Sequence, residues 1–108
     1  MFEVVVYETE EGRAPFENWF NALDTQAALK VTTAIARIEA GNLGDVKPVG
    51  QGVSERRIMV GPGYRIYFGQ DGKKLVVLLT GGTKKRQSKD IEQSQEFWAD
   101  YKRRKKGG

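Results

Sequence analysis

The stretch ERRIMVGPGYRIYFGQDGKKLVVLLT, Glu55 to Thr80, decides the fold. Three runs rich in β-branched and aromatic residues, ERRIMV, YRIYF and KLVVLLT, are separated by the turn sequences GPG and GQDGK. Such side chains pack well on a pleated surface, and glycine and proline supply tight-turn backbone angles, so the stretch predicts an antiparallel meander of three strands. The last run, Leu75 to Leu79, is apolar at every position and suits an interior strand. Side-chain parity then sorts the residues. If Val60 pairs with Tyr64 across GPG, Ile58 faces Ile66, while Arg57 and Met59 point to the other side with Arg65 and Tyr67. Pairing Phe68 with either Lys73 or Leu75 puts Leu75, Val77 and Leu79 on the apolar side and Lys74, Val76 and Leu78 on the other. The expectation is a sheet with one face against helices and one bare face bearing guanidinium groups.

Outward from the meander, FEVVVY (2–7) reads as a first strand with Phe2, Val4 and Val6 on one face. Pro15 opens a helix in which Phe16, Trp19, Phe20 and Leu23 form one stripe at i, i+3, i+4 and i+7. Asp24 or Thr25 caps a second helix reaching about Ala40, with Ala28, Val31, Ile35 and Ile38 on one face and Gly41 at its end, so the two helices form a hairpin. Residues 41–54, GNLGDVKPVGQGVS, show no apolar period and read as a connection. From Ser88 a third helix places Ile91, Ser94, Trp98 and Tyr101 on one face, with Phe97 beside it. The expected order is βααβββα: one small α+β domain over residues 1–108, an antiparallel sheet packed by helices. The basic terminus, residues 102–108, is expected to fray in solvent.

The 108 residues include no cysteine and no histidine, which excludes disulfides, thiolate nucleophiles, imidazole bases and the usual zinc ligands. No apolar run approaches the roughly 20 residues of a membrane span, and the opening residues carry no basic leader, so a cytoplasmic protein without membrane association is expected. Charge is unevenly spread. Residues 1–50 carry 4 Lys/Arg against 8 Asp/Glu, whereas residues 51–108 carry 14 against 6. Nine basic residues lie between Arg56 and Lys89, with Asp71 the sole acid in that window. Positive charge concentrated within a folded segment attracts polyanions, which favours nucleic acid as a partner.

Arg57 and Arg65 on adjacent strands, with Lys84, Lys85 and Arg86 after the last strand, are placed to enclose a phosphate from two sides. Arginine suits this because its planar fork directs two hydrogen bonds, whereas lysine supplies a mobile point charge. Lys47, Arg56, Tyr67 and Lys74 complete the set of candidate RNA contacts, Tyr67 by stacking on a base. GGTKKRQSK (81–89) is no phosphate-binding P-loop, because no second glycine precedes its lysine. Asp90, Glu92 and Glu96 spread along the third helix beside basic neighbours, so neither a metal nor another cofactor is expected.

GPGYRIYF, then VVLLTGG, Lys84, Gln87 and Asp90-Ile91 together resemble the RelE/ParE superfamily of bacterial toxins, and more narrowly its HigB-like addiction-module killer branch of phage-derived type. The resemblance also covers the first strand, the PFENWF helix and the FWADYK helix. It implies a compact α+β fold and cleavage of messenger RNA on the ribosome, with no metal required. It also implies a cognate antitoxin from the same operon, a small DNA-binding protein that holds the toxin inactive. By motif, Arg65 matches the family's central strand arginine, Lys84 the lysine of its GGxK segment, Arg57 the ELR-type arginine and, more loosely, Arg86 an arginine after the last strand. These imply catalytic roles for Arg57, Arg65 and Lys84. The best-known members place a tyrosine near the chain end, where Asp90 and Ile91 stand here. Tyr67, Lys84 or an acid such as Glu55 are then the candidates for proton transfer, and the sequence does not choose among them. A homologous branch inhibits DNA gyrase by protein contact, and a non-catalytic nucleic-acid-binding module is the third alternative.

Overall fold

In a computed structural model that describes residues 1–107, the chain runs β1 (Glu3–Val6), α1 (Pro15–Asn21), α2 (Thr25–Glu39), β2 (Val46–Pro48), β3 (Val53–Ile58), β4 (Tyr64–Asp71), β5 (Leu75–Thr83), a 3₁₀ turn (Lys84–Arg86) and α3 (Gln87–Gly107). The α+β class and the helical hairpin follow the expectation, while the order is βααββββα. The added strand, β2, lies inside the segment read as a connection and pairs with β3 through Val46–Arg56, Lys47–Glu55 and Pro48–Ser54. Three residues are too few to show a period, and Pro48 suits an edge strand, where its missing N–H costs no ladder bond. The sheet order is β1-β5-β4-β3-β2. The sheet is mixed, not wholly antiparallel, because β1 runs parallel to β5.

The β3–β4 register pairs Ile58 with Tyr64 and sets Arg57 directly opposite Arg65, two residues from the expected pairing, so the expected parity of these strands is preserved. The parity of β5 is reversed. Val76 and Leu78 join Ile58, Ile66 and Phe68 beneath α1 and α2, whereas Val77 and Leu79 join Tyr67 beneath α3. The cause is Gly69, which looks like the start of a turn but is a strand residue. β4 continues to Asp71, and the turn is only Gly72 to Lys74, with Gly72 at φ 75°. Leu75 to Leu79 is apolar on both sides, so its hydrophobic pattern could not specify the register. Farther along, a bulge opposes Tyr67 to Thr80 and Phe68 to Leu78, leaving Leu79 unpaired.

Neither face of the sheet is bare. On one side Phe16, Val31, Ala34 and Ile38 of the helical hairpin cover Ile66, Phe68, Val76 and Leu78; on the other, Trp98 of α3 packs with Val53, Tyr67, Val77 and Leu79. Strand glycines make room for both layers. A Cβ on Gly81 would stand 2.2 Å from the Trp19 ring, one on Gly69 2.5 Å from the Trp98 ring, and one on Gly82 1.9 Å from Asp90 Oδ2. In α2, the Asp24 carboxylate accepts from the Ala27 N–H at 2.8 Å, and the core stripe is Ala27, Val31, Ala34 and Ile38, so Ala28 and Ile35 lie at its flank.

The basic terminus is helical through Gly107, and Gly108 lies outside the described residues. Fraying is opposed by side chains reaching back to the body. Tyr7 donates to Asp100 Oδ2 at 2.6 Å, Tyr101 donates to Asp71 Oδ2 at 2.7 Å, and Lys105 meets the same Asp71 oxygen at 2.6 Å. Arg104 donates to Asp100 and to the Glu8 carbonyl. Burial, then the bond to Asp100, pushes the Tyr7 hydroxyl up to about 12; burial, then the bond to Asp71, pushes Tyr101 up to about 12.

Gly81→Ala and Gly69→Ala should each destabilise the fold by about 1–3 kcal/mol, because an indole must shift to admit one methyl group; urea unfolding of both variants tests this, and wild-type midpoints would disprove the packing argument. For Tyr7 and Tyr101, the folded pKa lies above the ordinary 10.0. Their stabilisation is therefore complete below pH 10.0 and lost as pH rises toward about 12. Tyr7→Phe and Tyr101→Phe should each flatten that alkaline decline in equilibrium unfolding.

Candidate nucleic-acid interface

The register of β3, β4 and β5 lines up two rows of side chains on the α3 face. Lys47, Glu55, Tyr67 and Thr80 form one row, and Arg57, Arg65 and Gly82 form the next. The second row ends beside Gly63, which binds the site together. Its carbonyl accepts from Arg65 Nη1 at 2.7 Å and from the Lys84 backbone N–H at 2.9 Å. Gly63 adopts φ 76°, and a Cβ there would stand 3.1 Å from Arg65 Nη1 and 3.5 Å from Lys84 Cβ. Arg65 and Lys84 thus meet at one end of the sheet, around one glycine turn, with Arg57 opposite Arg65 in the β3–β4 register and its side chain engaged with Asp45.

They lie at different depths. Arg65 is 4% exposed, and its Nε faces Glu55 Oε2 at 3.6 Å across a carboxylate that is itself fully buried. Gln87, from the first turn of α3, donates to the same Glu55 oxygen at 2.8 Å. Arg65 is therefore part of an internal ion pair rather than a projecting contact, which corrects the expectation of a free guanidinium. The reason is α3, whose first turns close over this row. Tyr67 is also fully buried, so no base can reach its ring to stack. Burial, followed by the nearby Glu55 carboxylate, pushes its hydroxyl well above the usual phenol range. Asp90 sits over Gly82, and burial raises its carboxyl above the ordinary carboxylate value against the pull of Arg86 and Lys89. Glu55 Oε1, the Tyr67 hydroxyl and Asp90 Oδ2 make no hydrogen bond within this cluster.

The exposed cations surround this buried row. Lys84, Lys85 and Arg86 occupy the 3₁₀ turn, and among the described residues none of them stands within ion-pair distance of a carboxylate. Lys47 is exposed on the edge strand β2. Arg57 is half-buried and pairs with Asp45 at 3.0 Å, which holds its guanidinium above the ordinary value. Two expected RNA contacts lie elsewhere. Arg56 alternates to the opposite face, toward α2, and is 7% exposed. Lys74 occupies the turn before β5, at the end of this nine-residue strand opposite Lys84. Among the described residues no three carboxylates gather to hold a metal ion.

Glu55, Gln87 and Asp90 are the partners that sequence reading placed least well. A signal existed for two of them: parity sets Glu55 on the face of Arg57, and Asp90 shares the stripe of Ser94 and Trp98 at spacing i, i+4, i+8. The buried pair has a measurable consequence. Glu55→Gln or Arg65→Met alone should cost about 3–5 kcal/mol by stranding one charge in the interior, and Glu55→Gln/Arg65→Met should cost less than the sum. Denaturant unfolding of the three variants measures this, and single losses below about 1 kcal/mol would remove the ion pair from the account.

No protein-family model matches the chain. Over 80 residues it is 42% identical to an uncharacterized protein of Haemophilus influenzae, a match spanning 73% of this chain and 81% of that protein. With that identity sustained across most of both chains, this protein belongs to the same family as the Haemophilus influenzae protein.

Proposed function

We propose that this protein is the toxin of a type II toxin–antitoxin module, a metal-independent endoribonuclease that cleaves messenger RNA on the ribosome in the cytoplasm. The observation that supports this reading is the meeting of Arg65 and Lys84 at Gly63, with Arg57 opposite Arg65 in the strand register, beside a 3₁₀ turn of three exposed cations. The resemblance of GPGYRIYF and its downstream motifs to RelE/ParE toxins supplies the reaction. The ribose 2′-hydroxyl attacks the adjacent phosphorus, the bond to the 5′-oxygen breaks, and a 2′,3′-cyclic phosphate and a 5′-hydroxyl result. Lys84, Lys85, Arg86, Lys47 and Arg57 hold the backbone and offset the charge growing on the phosphorane. Arg65 acts through the Gly63 turn as a positioning residue. Glu55 and Tyr67 are buried, so Lys84 is the exposed candidate for protonating the leaving oxygen. The partner is a small DNA-binding antitoxin that covers these cations.

Those same two buried groups favour a second reading. With Glu55 and Tyr67 withdrawn from solvent, the surface lacks an evident general base, which fits a toxin that acts by binding a protein such as gyrase.

Induction of the chain, with RNA 5′ ends mapped against translating ribosomes, separates the two. Ribosome-dependent cleavage is expected, and Lys84→Ala should slow it by about 10²-fold or more while melting within about 2 °C of wild type. Intact transcripts accompanied by DNA-damage signalling would replace the ribonuclease reading with the second one. Undiminished cleavage by Lys84→Ala would remove Lys84 from the chemistry.

A further inference from the structure

A second set of cations lies on the opposite face of the sheet. Between α2 and β3 runs a groove of about 360 Å³, lined by Lys30, Arg37, Arg56 and Arg57, with Asp45 its one carboxylate. Lys30 and Arg37 stand two helical turns apart on one side of α2, about 10 Å along its axis. Asp45 is committed to Arg57 at 3.0 Å. Among the described residues, Lys30, Arg37 and Arg56 have no carboxylate within ion-pair distance. Arg56 is the unusual member. It is only 7% exposed, its Nε is buried without a hydrogen-bond partner, and one Nη donates to the Arg57 carbonyl. The guanidinium lies against the backbone of Gly44, where a Cβ would come within 2.5 Å of Nε. Gly44 holds φ 74°, so both the backbone angle and the space for Arg56 require glycine there.

A desolvated guanidinium beside other cations is costly unless an anion completes the set. Burial, then the proximity of Arg37, lowers the Arg56 pKa despite the counter-pull of Asp45. Three uncompensated charges arranged on two walls exceed what one carboxylate can neutralise, since it offers a single charge and two coplanar oxygens. A tetrahedral dianion offers two charges and oxygens directed at both α2 and β3. The groove is larger than the ion alone, and its lining includes Met59, which is 70% exposed. The remaining volume leaves room for the body to which a phosphate is attached. We propose that the groove between α2 and β3 is a binding site for a phosphomonoester dianion, held by Lys30, Arg37 and Arg56 with Arg57 at its rim. Arg57 borders both this groove and the strand row beside the Lys84 turn, but Lys30, Arg37 and Arg56 belong to the groove alone, so the site stands whether or not the chain cleaves RNA.

Thermal unfolding at about pH 8, above the second ionisation of phosphate, compares inorganic phosphate with chloride at matched ionic strength. Wild type should gain roughly 3 °C or more in phosphate. Arg37→Ala and Lys30→Ala, both at exposed helix positions, should lose most of that gain, and Lys74→Ala at the far end of β5 should keep it. Phosphate also stabilises proteins by exclusion from their surface, an effect that survives any single substitution. An equal gain in wild type, Arg37→Ala and Lys30→Ala, or no gain in wild type, would therefore overturn the site. A second arm identifies the source of the ligand, using a short single-stranded RNA with and without a 5′-phosphate. Tighter binding of the phosphorylated strand, by tenfold or more and lost in Arg37→Ala, assigns the site to an RNA terminus. Equal binding of the two strands, with the phosphate gain intact, assigns it to a small phosphorylated molecule. Failure of the ribonuclease reading would show as intact transcripts on induction of the wild-type chain and leaves the melting result unchanged.

Discussion

Two indoles pressed onto glycines from opposite sides hold this fold together. Trp19 lies over Gly81 and Trp98 over Gly69, each closer than any side chain on the strand would permit. Large rings seated directly on the backbone bring both helical layers near the sheet, and burial of apolar area on both faces then supplies the main driving force. In a chain of 108 residues, where little interior is available, a sheet covered on one side only would leave Val77, Leu79 and Trp98 without partners. The covering by α3 is thus a requirement of stability. It has a functional cost as well, because the row of polar side chains on that face goes under the helix.

That row explains why the site has an inside and an outside. Glu55 pairs with Arg65 and accepts from Gln87 in the interior, and the Gly63 carbonyl links Arg65 to the backbone of Lys84. Fully exposed arginines would gain little from rigid placement, since water screens them and their side-chain entropy is high. An arginine fixed by a buried carboxylate instead acts as a strut that shapes the turn carrying the surface cations. The strand that supplies Glu55, β3, sends its next residue, Arg56, to the other face, so one ERR sequence serves two charged surfaces by simple alternation.

The positions of β1, β3, β4 and β5 on the chain, the helical hairpin and the aromatic stripes were legible because each is a local pattern: period two in YRIYF, period near 3.6 in PFENWF, and turn residues between; the three-residue β2 was not. The face shared by Arg57, Arg65 and Tyr67 was legible too, since a register error of two residues leaves parity unchanged. The parity of β5 was not. A run apolar on both sides carries no alternation, and Gly69 and Gly81 look like punctuation when their purpose is to seat tryptophans that lie 29 residues later and 62 residues earlier in the chain.

By itself, then, the amino-acid order determined an α+β domain, every helix and strand of it but β2, the excess of cations in its second half and the absence of thiol and imidazole side chains. Only the tertiary structure decided the parallel placement of β1, the edge pairing of β2 and the depth at which each cation sits. Local propensity and periodicity act over a few residues, whereas burial is a property of whatever packs on top. Arg65 and Lys84 both read as cations near glycines; the first turns of α3 closed over one and left the other in water.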